Sequence, residues 1–144
     1  MILKFDQFLN EVIDVNSLNT DDEDLIDFLI SAGYEKVIKK DGVKDILIGV
    51  KLKQDTKFYH GSNRKYTELK PKYPTTISGE NSTGKKPVLN LGDYEQAEGW
   101  GKYIYEIILP KDTEIFQGMD GAGHIVIFTK VKIFKLYNNE NYEE

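Results

Sequence analysis

The sequence predicts an α+β fold, with an N-terminal helix or helices followed by a mixed β body. Three observations carry this. Leu25, Ile26, Phe28, Leu29 and Ile30 repeat with helical spacing behind an acidic run. Runs rich in β-branched and aromatic residues recur near 46–52, 56–60, 102–109 and 124–136. Between them, residues 61–93 are rich in Gly, Ser, Thr, Asn, Pro and Lys and show little periodicity. Elements that run helix first and strands after are the pattern of α+β domains.

Each element has its own warrant. Leu3, Phe5, Phe8, Leu9 and Val12 form an apolar stripe compatible with a helix. Residues 12–20 read as a polar connector. Thr20 and Glu23 fit a capping box for a helix over 21–32, which the Asp21–Asp24 cluster and Asp27 suit at its positive end. Gly33 supplies the stop. Asp41-Gly42 marks a turn. Strands follow at 46–52 and 56–60. Asp93 caps a short helix that Gly99 ends. Residues 102–109 form a strand, Pro110-Lys111-Asp112 a turn, and 113–117 another strand. Gly118, Gly121 and Gly123 punctuate a loop before one long or two short strands over 124–136. The tail from Asn138 is polar and expected to fray. The chain thus divides into residues 1–11, a helical segment with the first strand over 12–55, a body over 56–137 and a tail over 138–144.

Composition sets limits. Hydrophobic residues make up 40% of the 144, enough for a core, and no run approaches the length of a membrane span. There is no Cys, so disulfides and thiolate metal sites are excluded. No metal site is expected. The net charge of −5 does not indicate a nucleic-acid binder, although residues 36–86 are rich in Lys. Gly79-Glu80-Asn81-Ser82-Thr83-Gly84-Lys85-Lys86 nearly spells a phosphate-binding loop. Lys86 stands where a magnesium-binding Ser or Thr belongs, and no apolar strand precedes Gly79.

Phe58-Tyr59-His60-Gly61-Ser62 carries the functional expectation. Gly61 allows close approach of a ligand to the backbone, and its amide and carbonyl can bond a planar amide. His60 and Ser62 add polar groups beside it. His60 has two readings, a cofactor contact or a strand-end histidine bonded to a nearby carbonyl. The stretch resembles the first motif of the ADP-ribosyltransferase fold, in its His-Gly-Ser branch. The resemblance extends through Asn63–Lys70, Asp93–Ala97, Gly101–Ile107 and Gly123–Phe128, so it covers residues 56–136. It implies NAD as cofactor, held by His60, Gly61 and Ser62, with the His on a ribose hydroxyl and the Gly backbone on the nicotinamide amide.

Two positions depart from the family pattern. The stretch Pro87–Leu91 lacks the aromatic that stacks on nicotinamide; Trp100, Tyr94 and Tyr73 are the substitutes available. The position of the catalytic Glu corresponds to His124, the candidate catalytic residue here. Glu114 and Asp120 lie near it in sequence, and Glu106 is hard to place in a site. An imidazole can hydrogen-bond a ribose hydroxyl but does not bring a carboxylate's charge to an oxocarbenium-like transition state.

Residues 1–11 resemble the capsid-targeting peptides of T-even-like phages, which a prohead protease cuts after the Glu of an aliphatic-x-Glu triplet, here Leu9-Asn10-Glu11. The resemblance implies a protein packed in the phage head and injected into the host cytoplasm, with the prohead protease and a host protein as partners. Two functions follow from these resemblances. One is an NAD-dependent ADP-ribosyltransferase acting on a host target. The other is a catalytically degenerate or non-enzymatic inhibitor that binds a host defence enzyme. An ordinary amphipathic helix docked on the domain remains the alternative for residues 1–11. No membrane association is expected.

Overall fold

The computed structural model describes residues 12–18, 24–41, 45–71, 88–118 and 125–140. Glu11, the Thr20–Glu23 capping box, Tyr73, the loop from Gly79 to Lys86, Asp120 and His124 lie outside the described residues. Within them the chain is α+β: two helices, one 3-10 turn and a mostly β body in several sheets.

Strand β1 (Ile13–Asp14) runs into a 3-10 turn (Val15–Ser17), then helix α1 (Leu25–Ser31) and the hairpin β2 (Glu35–Asp41) and β3 (Asp45–Lys51). Strands β4 (Thr56–Ser62), β5 (Glu68–Leu69) and β6 (Leu89–Leu91) precede helix α2 (Tyr94–Glu98). Strands β7 (Tyr103–Leu109), β8 (Glu114–Gln117), β9 (Ile125–Ile127), β10 (Val131–Lys132) and β11 (Lys135–Asn138) complete the order. One sheet has the order β1-β4-β7-β11, a second β2-β3-β8-β9-β6, and β10 pairs with β5. The first two meet where Tyr59 of β4 and Gly92, just past β6, exchange both main-chain bonds at 2.8 Å.

Strand β7 explains the core. It lies between β4 and β11, and Ile104, Tyr105, Ile107 and Leu109 are fully buried, so both of its faces are covered. A run of β-branched and aromatic residues without polar alternation suits such a strand. Its Glu106 is buried as well, at 4% exposure. Tyr137 of β11 donates its hydroxyl to Glu106 Oε1 at 2.9 Å, and Lys57 Nζ sits 3.7 Å from Oε2. A buried carboxylate persists only with such partners.

Several expectations are corrected. The cap of α1 is Asp24, whose Oδ1 accepts from Ile26 N at 2.8 Å, and the described helix starts at Leu25 rather than 21. Burial of Leu25, Ile26 and Leu29, at about 1.5–3 kcal/mol each, anchors it. Gly33 ends it with φ 94, the left-handed conformation expected of a C′ glycine. Residues 12–18 are not a free connector. Ile13 N donates to Asp55 O at 2.9 Å, β1 pairs in parallel with β4, and Val15 is buried. Of the two arrangements anticipated after 124, the described residues hold the two short strands, β9 and β10, whereas the tail, expected to fray from Asn138, stays ordered there. That residue ends β11, and Asn139 is buried with its amide donating to Glu98 O and Gly101 O at 2.8 and 2.9 Å. No described helix is long and apolar enough to cross a membrane.

Candidate functional site

His60, Gly61 and Ser62 form the last three residues of β4, so the strand expected to end at His60 continues through Gly61 and Ser62. Register with β7 fixes their directions. His60 faces Tyr105, Gly61 faces Ile104 and Ser62 faces Tyr103. Successive residues of a strand alternate between faces, so His60 and Tyr105 share one face while Tyr59 and Glu106 share the other.

The His60 ring is fixed by β6. Its Nδ1 lies 2.6 Å from the main-chain oxygen of Asn90. A carbonyl only accepts, so Nδ1 carries the proton, and in the neutral ring the lone pair resides on Nε2. The carbonyl-bonded histidine anticipated as one reading is therefore present at Nδ1. Trp100 stands at 6.3 Å between ring centroids and Tyr105 at 6.4 Å, so His60 lies between two aromatics.

Gly61 is crowded on one side. A Cβ there would lie 2.1 Å from the carbonyl oxygen of Ala97 and 2.9 Å from Trp100 Cβ. The close approach that requires a glycine is thus made by helix α2 of the same chain. The main-chain groups of Gly61 point elsewhere. Tyr59 uses both its N–H and its C=O on Gly92, at the edge of β4 away from β7. The two-residue period of a strand directs the Gly61 N–H and C=O to that same edge. Ser62 Oγ accepts from Arg64 N at 3.2 Å and so shapes the turn that follows.

Tyr105 extends the site. Its hydroxyl donates to Arg64 O at 2.8 Å and accepts from Tyr66 N at 2.7 Å, which holds the segment after β4 against the sheet. Burial raises its pKa above the ordinary tyrosine value. The capping box of α2 is complete: Asp93 Oδ1 accepts from Gln96 N at 2.7 Å, and Gln96 Oε1 accepts from Asp93 N at 3.0 Å. That cap fixes where α2 starts, and hence where Trp100, one residue past its Gly99 stop, arrives beside His60.

The carboxylates fall elsewhere. Asp14 Oδ2 accepts from the Tyr59 hydroxyl at 3.0 Å, on the face of the sheet opposite His60. Glu106 shares that face, as described. Glu114 is exposed at the end of β8 remote from Gln117, the residue that pairs with Ile125. Ile125, the first described residue after position 124, pairs with Leu91, next to the Gly92 junction with Tyr59. Tyr94 packs edge-on against Tyr59 and Tyr137 on the face away from His60. Of the aromatics considered as substitutes, Trp100 is therefore the described one beside His60. Among the described residues, no group of three or more His, Cys, Asp or Glu could hold a metal ion.

The sequence missed Asn90 and Tyr105, which reach His60 through register and sheet junction rather than through local pattern. The tyrosine–carboxylate pairs Tyr59–Asp14 and Tyr137–Glu106 were missed for the same reason. Trp100, the sole Trp of the chain, was visible as a candidate but its neighbour was not.

No protein-family model, no curated protein and no solved structure matches this chain.

Proposed function

We propose that this chain is a phage-head protein injected into the host, where the end of β4 at His60 binds NAD and the protein acts as an ADP-ribosyltransferase on a host target. The observation that carries the cofactor half is the edge of β4 at Gly61. Its N–H and C=O lie on one side of the strand, as a donor–acceptor pair suited to a carboxamide. His60 adjoins it, its ring oriented by the Asn90 carbonyl at Nδ1, and the role proposed for it is to contact a ribose hydroxyl. Trp100 supplies an aromatic surface at the same place.

The chemistry is a substitution at the ribose C1′ carbon. The bond to the nicotinamide nitrogen breaks with its electron pair leaving on nicotinamide. A nucleophile of the target forms the new bond to C1′ and gives up its proton. The part assigned to His60 is to orient the ribose, and the part assigned to Gly61 is to hold the departing amide.

Calorimetric titration with NAD tests the reading. Saturable binding that His60→Ala weakens about tenfold or more, the loss of one good polar contact, is expected. No binding by the wild-type chain sinks the cofactor reading. Transfer of labelled ADP-ribose to a protein in host lysate tests the enzymatic half.

One observation favours the second reading, a degenerate inhibitor of a host defence enzyme. The described carboxylates of the sheet, Asp14 and Glu106, are engaged by tyrosines on the face away from His60. NAD binding without any transfer would select that reading. The delivery half rests on residues 1–11. Mass spectrometry of purified virions should find a chain beginning at Val12, and an intact Met1 there overturns it.

A further inference from the structure

The hairpin β2–β3 presents an apolar surface that its own fold leaves open. Register places Lys36 opposite Val50, Ile38 opposite Ile48 and Lys40 opposite Ile46, so these six project from one face. Val50 is fully buried and joins the core with Leu25, Ile26 and Leu29 of α1. Toward the turn the cover ends: Ile48 is half-buried, while Ile38 and Ile46 are 66% and 65% exposed. They are diagonal neighbours, so they form one patch rather than two scattered side chains. Lys36 and Lys40 flank Ile38 along β2, and both are exposed.

Among the described residues β2 is also the edge of its sheet. Its seven residues pair with β3 on one side, and no described strand pairs with the row of main-chain donors and acceptors on the other. The other face of β2 is occupied. Val37 packs on the cluster of Leu47, Val88, Phe116 and Val126, and Lys39 Nζ lies over the Phe128 ring at 4.9 Å. Among the described residues, what remains open is therefore an edge plus one face that reads Lys-x-Ile-x-Lys.

We infer that β2 is a docking edge for an extended acidic segment of a partner protein, which adds as a strand with an acidic-x-apolar-x-acidic pattern against Lys36, Ile38 and Lys40. Charge decides the occupant. A second copy paired antiparallel about Ile38 would set each Lys36 against the other's Lys40, two like-charge oppositions beside the shared apolar contact. An acidic strand turns the lysines from a deterrent into the recognition element. The inference stands apart from the nucleotide reading, since the hairpin lies in a different sheet from His60.

The probe is a capped synthetic peptide in which threonine alternates with Glu, Val and Glu, titrated into the full chain and followed by the amide signals of residues 35–41. Saturable shifts confined to β2 and its neighbours are expected, weakened by added salt. Ile38→Asp and the double variant Lys36→Glu/Lys40→Glu should each weaken binding at least about tenfold. Both alter exposed side chains, and an unchanged thermal midpoint of each variant establishes that the loss is not unfolding. The proposal is overturned by the absence of saturable shifts, by equal binding of a peptide with Lys in place of Glu, or by variants that bind as well as wild type. Sedimentation that shows the free chain dimerising through β2, and losing that dimer with Ile38→Asp, overturns it in favour of self-association.

Discussion

Gly61→Ala would drive a methyl group into the carbonyl oxygen of Ala97, which stands 2.1 Å from the position that a Cβ takes. Backbone offers no rotamer by which to retreat, so helix α2 must shift off β4. A loss of about 2 kcal/mol or more is expected in urea unfolding. The shift also displaces Trp100, so on the proposed NAD reading any affinity for NAD should fall together with stability. Tyr59→Phe is milder. It removes the bond to Asp14 and should cost about 1 kcal/mol, with no effect on the His60 face. At this scale His60, Gly61 and Ser62 were readable because they are consecutive. Glu106 was not, since its partners Tyr137 and Lys57 come from two other strands and only register brings them to it.

Strand β1 is only two residues long, yet it ties the N-terminal side of the described chain to the central sheet. A chain that starts at Val12 keeps the Ile13–Asp55 bond, the Tyr59–Asp14 bond and the burial of Val15. One that starts at Leu18 loses all three. Thermal unfolding should place the first at the midpoint of the full chain and the second lower by an amount corresponding to about 2 kcal/mol or more. The elements that sequence revealed best, α2 and β7, have a complete cap and a long β-branched and aromatic run respectively. Strand β1 is too short to show a period. Strand β2 went unread because Lys alternates with its few apolar residues and its stability comes from pairing with β3. The cap of α1 was misplaced because an acidic run offers several equivalent N-caps, and burial of Leu25 and Ile26 selects Asp24.

Tyrosines brace the sheet β1-β4-β7-β11 from within, and this gives an alkaline limit. Burial raises the pKa of Tyr34, Tyr59, Tyr94, Tyr105 and Tyr137 above the ordinary value of 10.0. For Tyr59 the bond to Asp14 adds to the effect, and for Tyr137 the bond to Glu106 does. The sign follows from proton counting. Below the unfolded pKa both states hold the phenolic protons and this contribution is fully present. Above it the unfolded chain sheds protons that the folded chain retains, so stability falls as pH rises. Tyrosinate absorbance should therefore appear for these residues together with the loss of circular dichroism, in one cooperative step. Independent titration of all nine tyrosines near their ordinary value would contradict this. The α+β class was legible in the order of patterns along the chain. The junction at Tyr59 and Gly92, which puts β6 beside β4, was not, because a pair of main-chain bonds carries no side-chain signature.

The place of Trp100 has one more consequence. It is the single indole among 144 residues, and it stands 6.3 Å from the His60 ring. Light absorbed selectively by tryptophan thus excites one location only, beside His60. A ligand seated against that ring, or a slippage of α2 along β4, should register as a change in a single emission band. The chain carries its own optical gauge of the site, with no label to attach and no second emitter to subtract.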